Sequence, residues 1–143
     1  MKYSEKAYIA KASGRIHIPE SPQLGKFEER GFYKGYTALD EELGVARVKW
    51  LSGTNRNVAR GFKAINAIYV LSENDTMLPV AIMDAGYITR IRTAAVSALA
   101  FRHLARKDSE TLAILSVGLQ GRTHLEAAVC ELKILNRVMV WNV

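Results

Sequence analysis

The stretch that decides the fold is LAILSVGLQGRTHLEAAV, residues 112–129. It opens with a short apolar run, passes through Gly118 and Gly121, and ends in a helical pattern of apolar residues. A strand, a glycine turn and a helix in this order outline a dinucleotide-binding turn, whose helix offers its first amides to a pyrophosphate. RVMVWNV, residues 137–143, predicts a further strand. Residues 109–143 therefore predict one β-α-β unit with a parallel strand pair.

Two of the three glycines that such a turn uses are present. Gly118 stands where the backbone must approach the pyrophosphate, and Gly121 where helix and strand pack closely. Ser116 replaces the first glycine, a costly exchange if the turn needs a positive φ there. Asn142 stands where an Asp or Glu usually binds the ribose, so the choice between NAD and NADP stays open.

Upstream of this unit the pattern changes to strands with short connections. VARVKWLS, residues 45–52, alternates its side chains as a half-buried strand does. KAINAIYVLSE and MLPVAIMDA predict two more strands, joined by the turn SENDTM. Three strands connected in this way predict an antiparallel meander.

Two helices are predicted around the meander. ITRIRTAAVSALAFRHLARKD, residues 88–108, has an apolar face, many alanines and a basic end that complements the helix dipole. Residues 3–12 predict the end of another helix, with Tyr8 and Ile9 facing inward and Gly14 closing it.

Composition excludes several classes of partner. The chain has 20 Lys and Arg against 14 Asp and Glu, a net charge of +6, but the basic residues are scattered as on a solvated surface. We therefore expect no nucleic-acid partner, whereas an anionic small ligand fits.

No segment approaches the roughly 18 apolar residues of a membrane helix, and no signal peptide is recognisable. The single cysteine, Cys130, is expected to be a core residue of a cytoplasmic protein.

The run MDAGYITRIRTAAVSALAFRHLAR, followed by LAILSVGLQGRTHLEA, resembles the ornithine cyclodeaminase and mu-crystallin family. RVKWLSG and VARGFKAINAIYVL resemble earlier strands of the same family, so the resemblance extends from about Gly14 onward. It implies an α/β fold: an α+β substrate-binding and dimerisation domain, residues 1–108, followed by the first β-α-β unit of a Rossmann fold, residues 109–143. It also implies that the chain is truncated, an internal or N-terminal portion of a family member.

The resemblance implies an NAD(P)-dependent oxidoreductase or cyclodeaminase that acts on small amino acids or imines and forms a homodimer. In the cyclodeaminases hydride leaves the substrate Cα, ammonia is lost through an imine, and hydride returns. The family's catalytic aspartate lies past Val143, so we expect no catalytic residue in this chain and no activity from it alone. No metal is expected. The alternative is a non-catalytic, mu-crystallin-like ligand-binding or dimer-scaffold protein.

Two substrate residues carry over from the family. Lys49 matches the substrate-binding lysine, although a solvent-facing strand lysine has the same pattern. Arg92 matches the arginine that binds the substrate carboxylate, and its alternative is a surface helix arginine. The expected cofactor residues are Thr93, Ser116, Gly118, Gln120, Gly121 and Asn142.

The sequence patterns around the other polar residues do not indicate a catalytic role. Thr93 either lines the phosphate side of the cofactor or packs within its helix. Ser21 stands where the family usually has a second carboxylate-binding arginine. Asp84 and Glu126 are the acidic residues near the expected site, and both are interpreted as structural or surface residues. His124 is expected to pack rather than to catalyse.

Overall fold

The fold was analysed in a computed structural model, which describes residues 2–26 and 30–142. In chain order the elements are α1 (Lys2–Ala12), β1 (Ile16–His17), β2 (Gln23–Lys26), β3 (Gly31–Asp40), β4 (Val45–Gly53), a 3-10 helix (Asn55–Arg60), β5 (Ile65–Glu73), β6 (Pro79–Asp84), α2 (Gly86–Leu104), β7 (Thr111–Leu115), α3 (Leu119–Glu131) and β8 (Arg137–Trp141).

The chain forms two compact units. One, the sheet unit, comprises residues 7–87; the other, the β-α-β unit, comprises residues 88–142 together with the first turn of α1, residues 2–6. Most of α2 thus belongs with the β-α-β unit. The division into a substrate-binding domain, 1–108, and a cofactor domain from 109 stays a prediction.

The sheet unit is built on six antiparallel strands in the order β1-β3-β4-β5-β6, with β2 also paired to β3. The predicted meander is confirmed, because β4, β5 and β6 are consecutive neighbours. Strand β3 was not predicted, since its glycines Gly31 and Gly35 obscure the alternation of its side chains. It pairs with β4 over nine residues and places Tyr36 opposite Lys49.

The core of the sheet unit lies on the face that carries the odd-numbered residues of β4. Leu51, Ala67 and Ala85 are buried there, and three aromatic side chains pack against them: Phe32, Tyr36 and Tyr69. The opposite face carries Trp50, which is 43% exposed. Alternation in a strand identifies two faces but not which of them is covered. Lys49 is on the covered face, and the solvent-facing interpretation of this lysine is wrong.

Helix α1 ends as predicted at a glycine. Gly14 has a φ of +78°, and its N–H donates to the carbonyl of Lys11 at 3.1 Å. The next amide, of Arg15, donates to the carbonyl of Ala10 at 2.9 Å. This pair of bonds is a Schellman motif, which requires a left-handed residue at the glycine position.

The predicted inward face of α1 is wrong. Tyr8 and Ile9 are 51% and 59% exposed, whereas Ala10 is 5% exposed. Successive residues on a helix are separated by about 100°, so the short segment did not determine which side is covered.

Helix α2 begins two residues before the predicted start and ends four before the predicted end, Asp108. Ala94 and Ala98 are its buried residues. Ile88 and Ile91 of the predicted apolar face are 37% and 39% exposed, so small side chains form the close contact instead.

The β-α-β unit is confirmed. Strands β7 and β8 pair in parallel, with Leu115 opposite Trp141, and α3 connects them. Thr123 and Ala128 are the buried residues of α3. Cys130 is exposed, so its predicted core position is wrong: two residues beyond Ala128, it points to another side of the helix. Among the described helices none is long and apolar enough to cross a membrane.

Candidate functional site

The turn between β7 and α3 needs a positive φ at its first position. Ser116 has a φ of +105°, a conformation that a residue with a β-carbon rarely adopts. Its N–H donates to the carbonyl of Trp141 at 2.7 Å, which extends the parallel ladder into the turn. Here serine stands in a conformation suited to glycine.

Gly121 is required by close packing. A β-carbon at this position would lie 2.1 Å from the carbonyl oxygen of Ser116. Gly118 differs, because a β-carbon there would meet only the Ser116 hydroxyl at 3.6 Å, an ordinary contact. Protein packing thus explains Gly121 but not Gly118, which leaves open space beside the turn. An approaching ligand is the usual reason for such a glycine.

The amides of the turn are held by neighbouring side chains. The Val117 N–H donates to Asn142 Oδ1 at 3.3 Å, and the Gly118 N–H donates to Ser116 Oγ at 3.4 Å. Asn142 therefore lies beside the turn, and its contact with a ribose stays a prediction. Both bonds are long, so a stronger acceptor such as a phosphate oxygen could replace them.

Helix α3 starts earlier than predicted, so that Gln120 and Gly121 lie in its first turn. Gln120 is exposed, and its carbonyl pairs with His124 Nδ1 at 2.7 Å. That contact ties His124 to its own helix. The first amides of α3 face the turn, as in sites that bind phosphate at a helix N-terminus.

Lys49 lies on the covered face of the sheet and is only 3% exposed. Its Nζ is 4.6 Å from the centre of the Tyr36 ring, at a distance suited to a cation–π contact. Tyr69 is its partner on the other neighbouring strand. A lysine is seldom buried to this extent, and buried ammonium groups mark ligand or ion-pair sites.

Arg92 and Thr93 lie on α2, in the other compact unit. Arg92 is exposed. Thr93 Oγ1 donates to the Thr89 carbonyl at 2.7 Å, a bond within the helix. Of the two interpretations of Thr93, this contact favours packing within the helix.

The acidic candidates have different surroundings. Asp84 Oδ2 accepts the amides of Gly86 and Tyr87 at 3.0 and 3.3 Å, and so caps the start of α2. Glu126 is an exposed residue of α3.

Ser21 is half-buried in the segment before β2. No group of three or more metal-binding side chains occurs in the part of the chain that the structure describes.

Sequence reasoning missed the polar side chains that surround Lys49. Lys34 and Tyr36 lie on β3, which was not predicted, and Arg47 and Tyr69 lie on neighbouring positions of β4 and β5. The alternation of YKGYTALD, residues 33–40, was the available signal for this strand.

The whole chain, residues 1–143, matches the profile of the ornithine cyclodeaminase/mu-crystallin family. The chain belongs to this family. The predicted family and the predicted α/β fold are thereby confirmed, the fold also by solved structures that cover nearly all of the chain.

Two of the curated relatives are a dehydrogenase and a reductase. The alanine dehydrogenase of Archaeoglobus fulgidus is 32% identical over 127 residues, which are 89% of this chain and 38% of that protein. The Delta(1)-pyrroline-2-carboxylate reductase of Bacillus cereus is 36% identical over 105 residues, 73% of this chain and 32% of that protein. The chain thus spans about a third of the length of these relatives.

Solved structures agree closely in fold. The Delta(1)-pyrroline-2-carboxylate reductase of Thermococcus litoralis, in complex with NADH and L-proline, matches with a TM-score of 0.92 at 30% identity, over 99% of this chain and 44% of that one. An archaeal alanine dehydrogenase dimer with bound NAD matches with a TM-score of 0.90 at 29% identity, over 97% of this chain and 42% of that one. NADH and NAD are bound in these two relatives, which confirms the predicted nicotinamide cofactor for the family.

Proposed function

We propose that this chain forms part of an NAD(P)-dependent oxidoreductase or cyclodeaminase that acts on a small amino acid or its imine. The observation that carries the proposal is the turn after β7. Ser116 has a φ of +105°, and Gly121 has no room for a β-carbon. A β-carbon at Gly118 would meet only the Ser116 hydroxyl, so open space lies beside this glycine. A dinucleotide pyrophosphate needs such a space at the start of a helix.

The proposed cofactor residues are Ser116, Gly118, Gln120, Gly121 and Asn142, with Thr93 on α2. The amides of the turn and of the first turn of α3 would donate to the pyrophosphate, and Asn142 would contact the ribose next to β8. The cofactor supplies a hydride acceptor or donor when bound. The described residues position it, and none of them is assigned as general acid or base.

The proposed substrate residues are Lys49 and Arg92, each within its own compact unit. Lys49 offers a buried ammonium group, which would bind a carboxylate in surroundings that strengthen the attraction. Arg92 offers a guanidinium group, which can bind a carboxylate through two parallel hydrogen bonds. Fixing the carboxylate orients the substrate Cα for hydride transfer.

The protein is further proposed to be a cytoplasmic homodimer. An exposed apolar face on the sheet unit supports the dimer. The single cysteine, Cys130, fits a reducing compartment. The alanine dehydrogenase with bound NAD is itself a dimer.

A second candidate function is a non-catalytic, mu-crystallin-like ligand-binding protein. Two departures from the family pattern favour it. Ser116 occupies a glycine position with a positive φ, and Ser21 offers no charge where an arginine is usual. Such a protein would keep the binding sites and lack turnover.

Tryptophan fluorescence distinguishes these functions. The Trp50→Phe variant leaves Trp141 as the single tryptophan, and its carbonyl already bonds the turn at Ser116. We expect saturable quenching of Trp141 by NADH or NADPH. In a chain extended to the length of its relatives, oxidation of the cofactor when Delta(1)-pyrroline-2-carboxylate is added would support the enzyme, and quenching without oxidation would favour the binding protein. No quenching by either nucleotide would refute the cofactor site and with it the proposed function.

A further inference from the structure

The first turn of α3 carries a cation where a helix usually carries an acid. Residues 119–122 include no Asp or Glu, and the last of them is Arg122. The helix dipole favours anions at this end of a helix and opposes a cation. Arg122 is exposed, so its position is not required by packing. A cation placed against the dipole has a physical reason if an anion binds beside it.

The side chain of Arg122 is directed back to the turn between β7 and α3. Its Nε donates to the carbonyl of Val117 at 3.2 Å. Glu126 lies one turn further along the helix, at a spacing that allows an ion pair. Within residues 2–26 and 30–142, however, Arg122 forms an ion pair with no carboxylate. The contact with Val117 does not use the two Nη groups, and a guanidinium can bind an anion through two parallel hydrogen bonds.

Asn142 contacts the same residue of the turn. The Val117 N–H donates to Asn142 Oδ1 at 3.3 Å, while the Val117 carbonyl accepts from Arg122. Three covalent bonds, about 4 Å in all, join this nitrogen to this carbonyl oxygen. The two side chains are thus held on one residue, within the β-α-β unit. In a dinucleotide site the residue at the end of the second strand lies beside the ribose, and Arg122 therefore lies near the ribose end of the proposed cofactor site.

We propose that Arg122 binds the 2′-phosphate of NADP, so that the cofactor of this protein is NADP(H) rather than NAD(H). This inference rests on the proposed function and selects between its two cofactors. An acidic residue at the end of β8 would bind the 2′-hydroxyl of NAD and repel a 2′-phosphate, whereas Asn142 carries no charge. A phosphate carries nearly two negative charges. It is attracted both by the guanidinium and by the N-terminal end of α3.

Two cofactors that differ only in the 2′-phosphate test the inference. Calorimetric titration of the chain with NADPH and with NADH should show at least about tenfold tighter binding of NADPH, as one added charge-assisted contact predicts. Arg122→Gln should reduce this ratio of affinities to about twofold or less. Arg122→Lys keeps the charge without the planar fork and should retain part of the ratio.

Two further variants locate the phosphate. Asn142→Asp should reverse the preference in favour of NADH, because the new carboxylate accepts the 2′-hydroxyl and repels the phosphate. Arg137→Gln is the matched control: it removes the same charge from an exposed arginine at the opposite end of β8. The ratio of the two affinities should be unchanged in this control.

The outcomes separate the two proposals. Equal affinities for NADPH and NADH in the parent chain, or tighter binding of NADH, would overturn the inference and leave the proposed cofactor site intact. An unchanged ratio in Arg122→Gln, with both affinities lowered together, would assign this arginine to support of the turn and would overturn it as well. Absence of binding by both nucleotides would overturn the cofactor site itself.

Circular dichroism of each variant checks folding. If Arg122→Gln does not fold, Asn142→Asp provides the answer, since an unchanged preference for NADPH in that variant would equally overturn the inference.

Discussion

At the scale of single residues, the turn after β7 combines strain with close packing. Ser116 has a conformation that costs a non-glycine residue on the order of 1–3 kcal/mol. Its hydroxyl accepts only a long bond from Gly118, at 3.4 Å, which compensates little. Ser116 is strained, Gly118 borders open space and Gly121 is closely packed. Three positions within six residues therefore have three different physical requirements.

The two later glycines of the turn should respond differently to alanine. Gly121→Ala places a β-carbon against the Ser116 carbonyl and should lower the free energy of unfolding by about 1–3 kcal/mol or more. Gly118→Ala meets no such obstacle, so it should unfold like the parent chain yet lose at least about tenfold in NADH affinity. Thermal unfolding and cofactor titration measure the two effects. Equal destabilisation by both substitutions would contradict this distinction.

Ser116→Gly should stabilise the chain. Relief of the positive φ gains roughly 1–3 kcal/mol, whereas the greater freedom of glycine in the unfolded chain costs about 0.5–1 kcal/mol. We expect a net gain of about 1 kcal/mol, measured by urea denaturation. A loss of stability would mean that the bond from Gly118 to the serine hydroxyl matters more than its length suggests.

At the scale of elements, an ion pair connects α2 to α3 within the β-α-β unit. Arg102 donates to Glu131 twice, from Nε at 2.9 Å and from Nη2 at 3.1 Å. The hydrogen bond from Arg102 is the main reason that the pKa of Glu131 lies below its usual range. The same pair raises the pKa of Arg102. Such a two-point contact fixes the orientation of the helices as well as their proximity.

The ion pair predicts an acid-dependent loss of stability. Because the pKa of Glu131 is lowered on folding, its contribution is complete above the unfolded value of about 4.3 and disappears as the pH falls through the folded value. Glu131→Gln should therefore be less stable than the parent chain at pH 7, and the difference should shrink as the pH falls below the unfolded value of about 4.3. Asp108→Asn, in the exposed pair with Arg106, should change little. A constant difference between pH 7 and pH 3 would contradict the assignment.

At the scale of the molecule, the sheet unit exposes one apolar face. The register places Val48 opposite Val70, Trp50 opposite Ile68, and Val70 opposite Ile82. We call these five residues the apolar face; Trp50, Ile68 and Ile82 are 43%, 48% and 74% exposed. Contiguous apolar surface of this kind marks an interface. A second copy of the chain is the proposed occupant, because identical faces are complementary in a two-fold dimer.

A charge on this face should dissociate the dimer. Ile68→Glu places a carboxylate at the centre of the face, where a dimer would bury it without a counter-ion. Sedimentation should give a dimer for the parent chain and a monomer for the variant. Leu43→Glu, at an exposed leucine in the turn between β3 and β4, is the control and should remain dimeric. A monomeric parent chain, or a dimeric Ile68→Glu variant, would refute the interface.

The sequence by itself determined the β-α-β unit, the meander, the glycine at the end of α1 and the family. Each of these depends on local patterns: an apolar run, a turn, a glycine that must take a positive φ. Ser116 belongs here too, because its cost was foreseen from the position alone.

Only the tertiary structure decided which faces are covered. Alternation in β4 is compatible with either face inward. The side chains of Tyr36 and Tyr69 pack on the face of Lys49, which is buried, whereas Trp50 on the opposite face is exposed. The same holds for Tyr8 on α1 and for Cys130 on α3, both exposed against expectation. The contacts of Arg47 with Tyr69 and of Lys49 with Tyr36 also needed the sheet, because each joins neighbouring strands. Burial depends on neighbours distant in sequence, and local patterns do not contain that information.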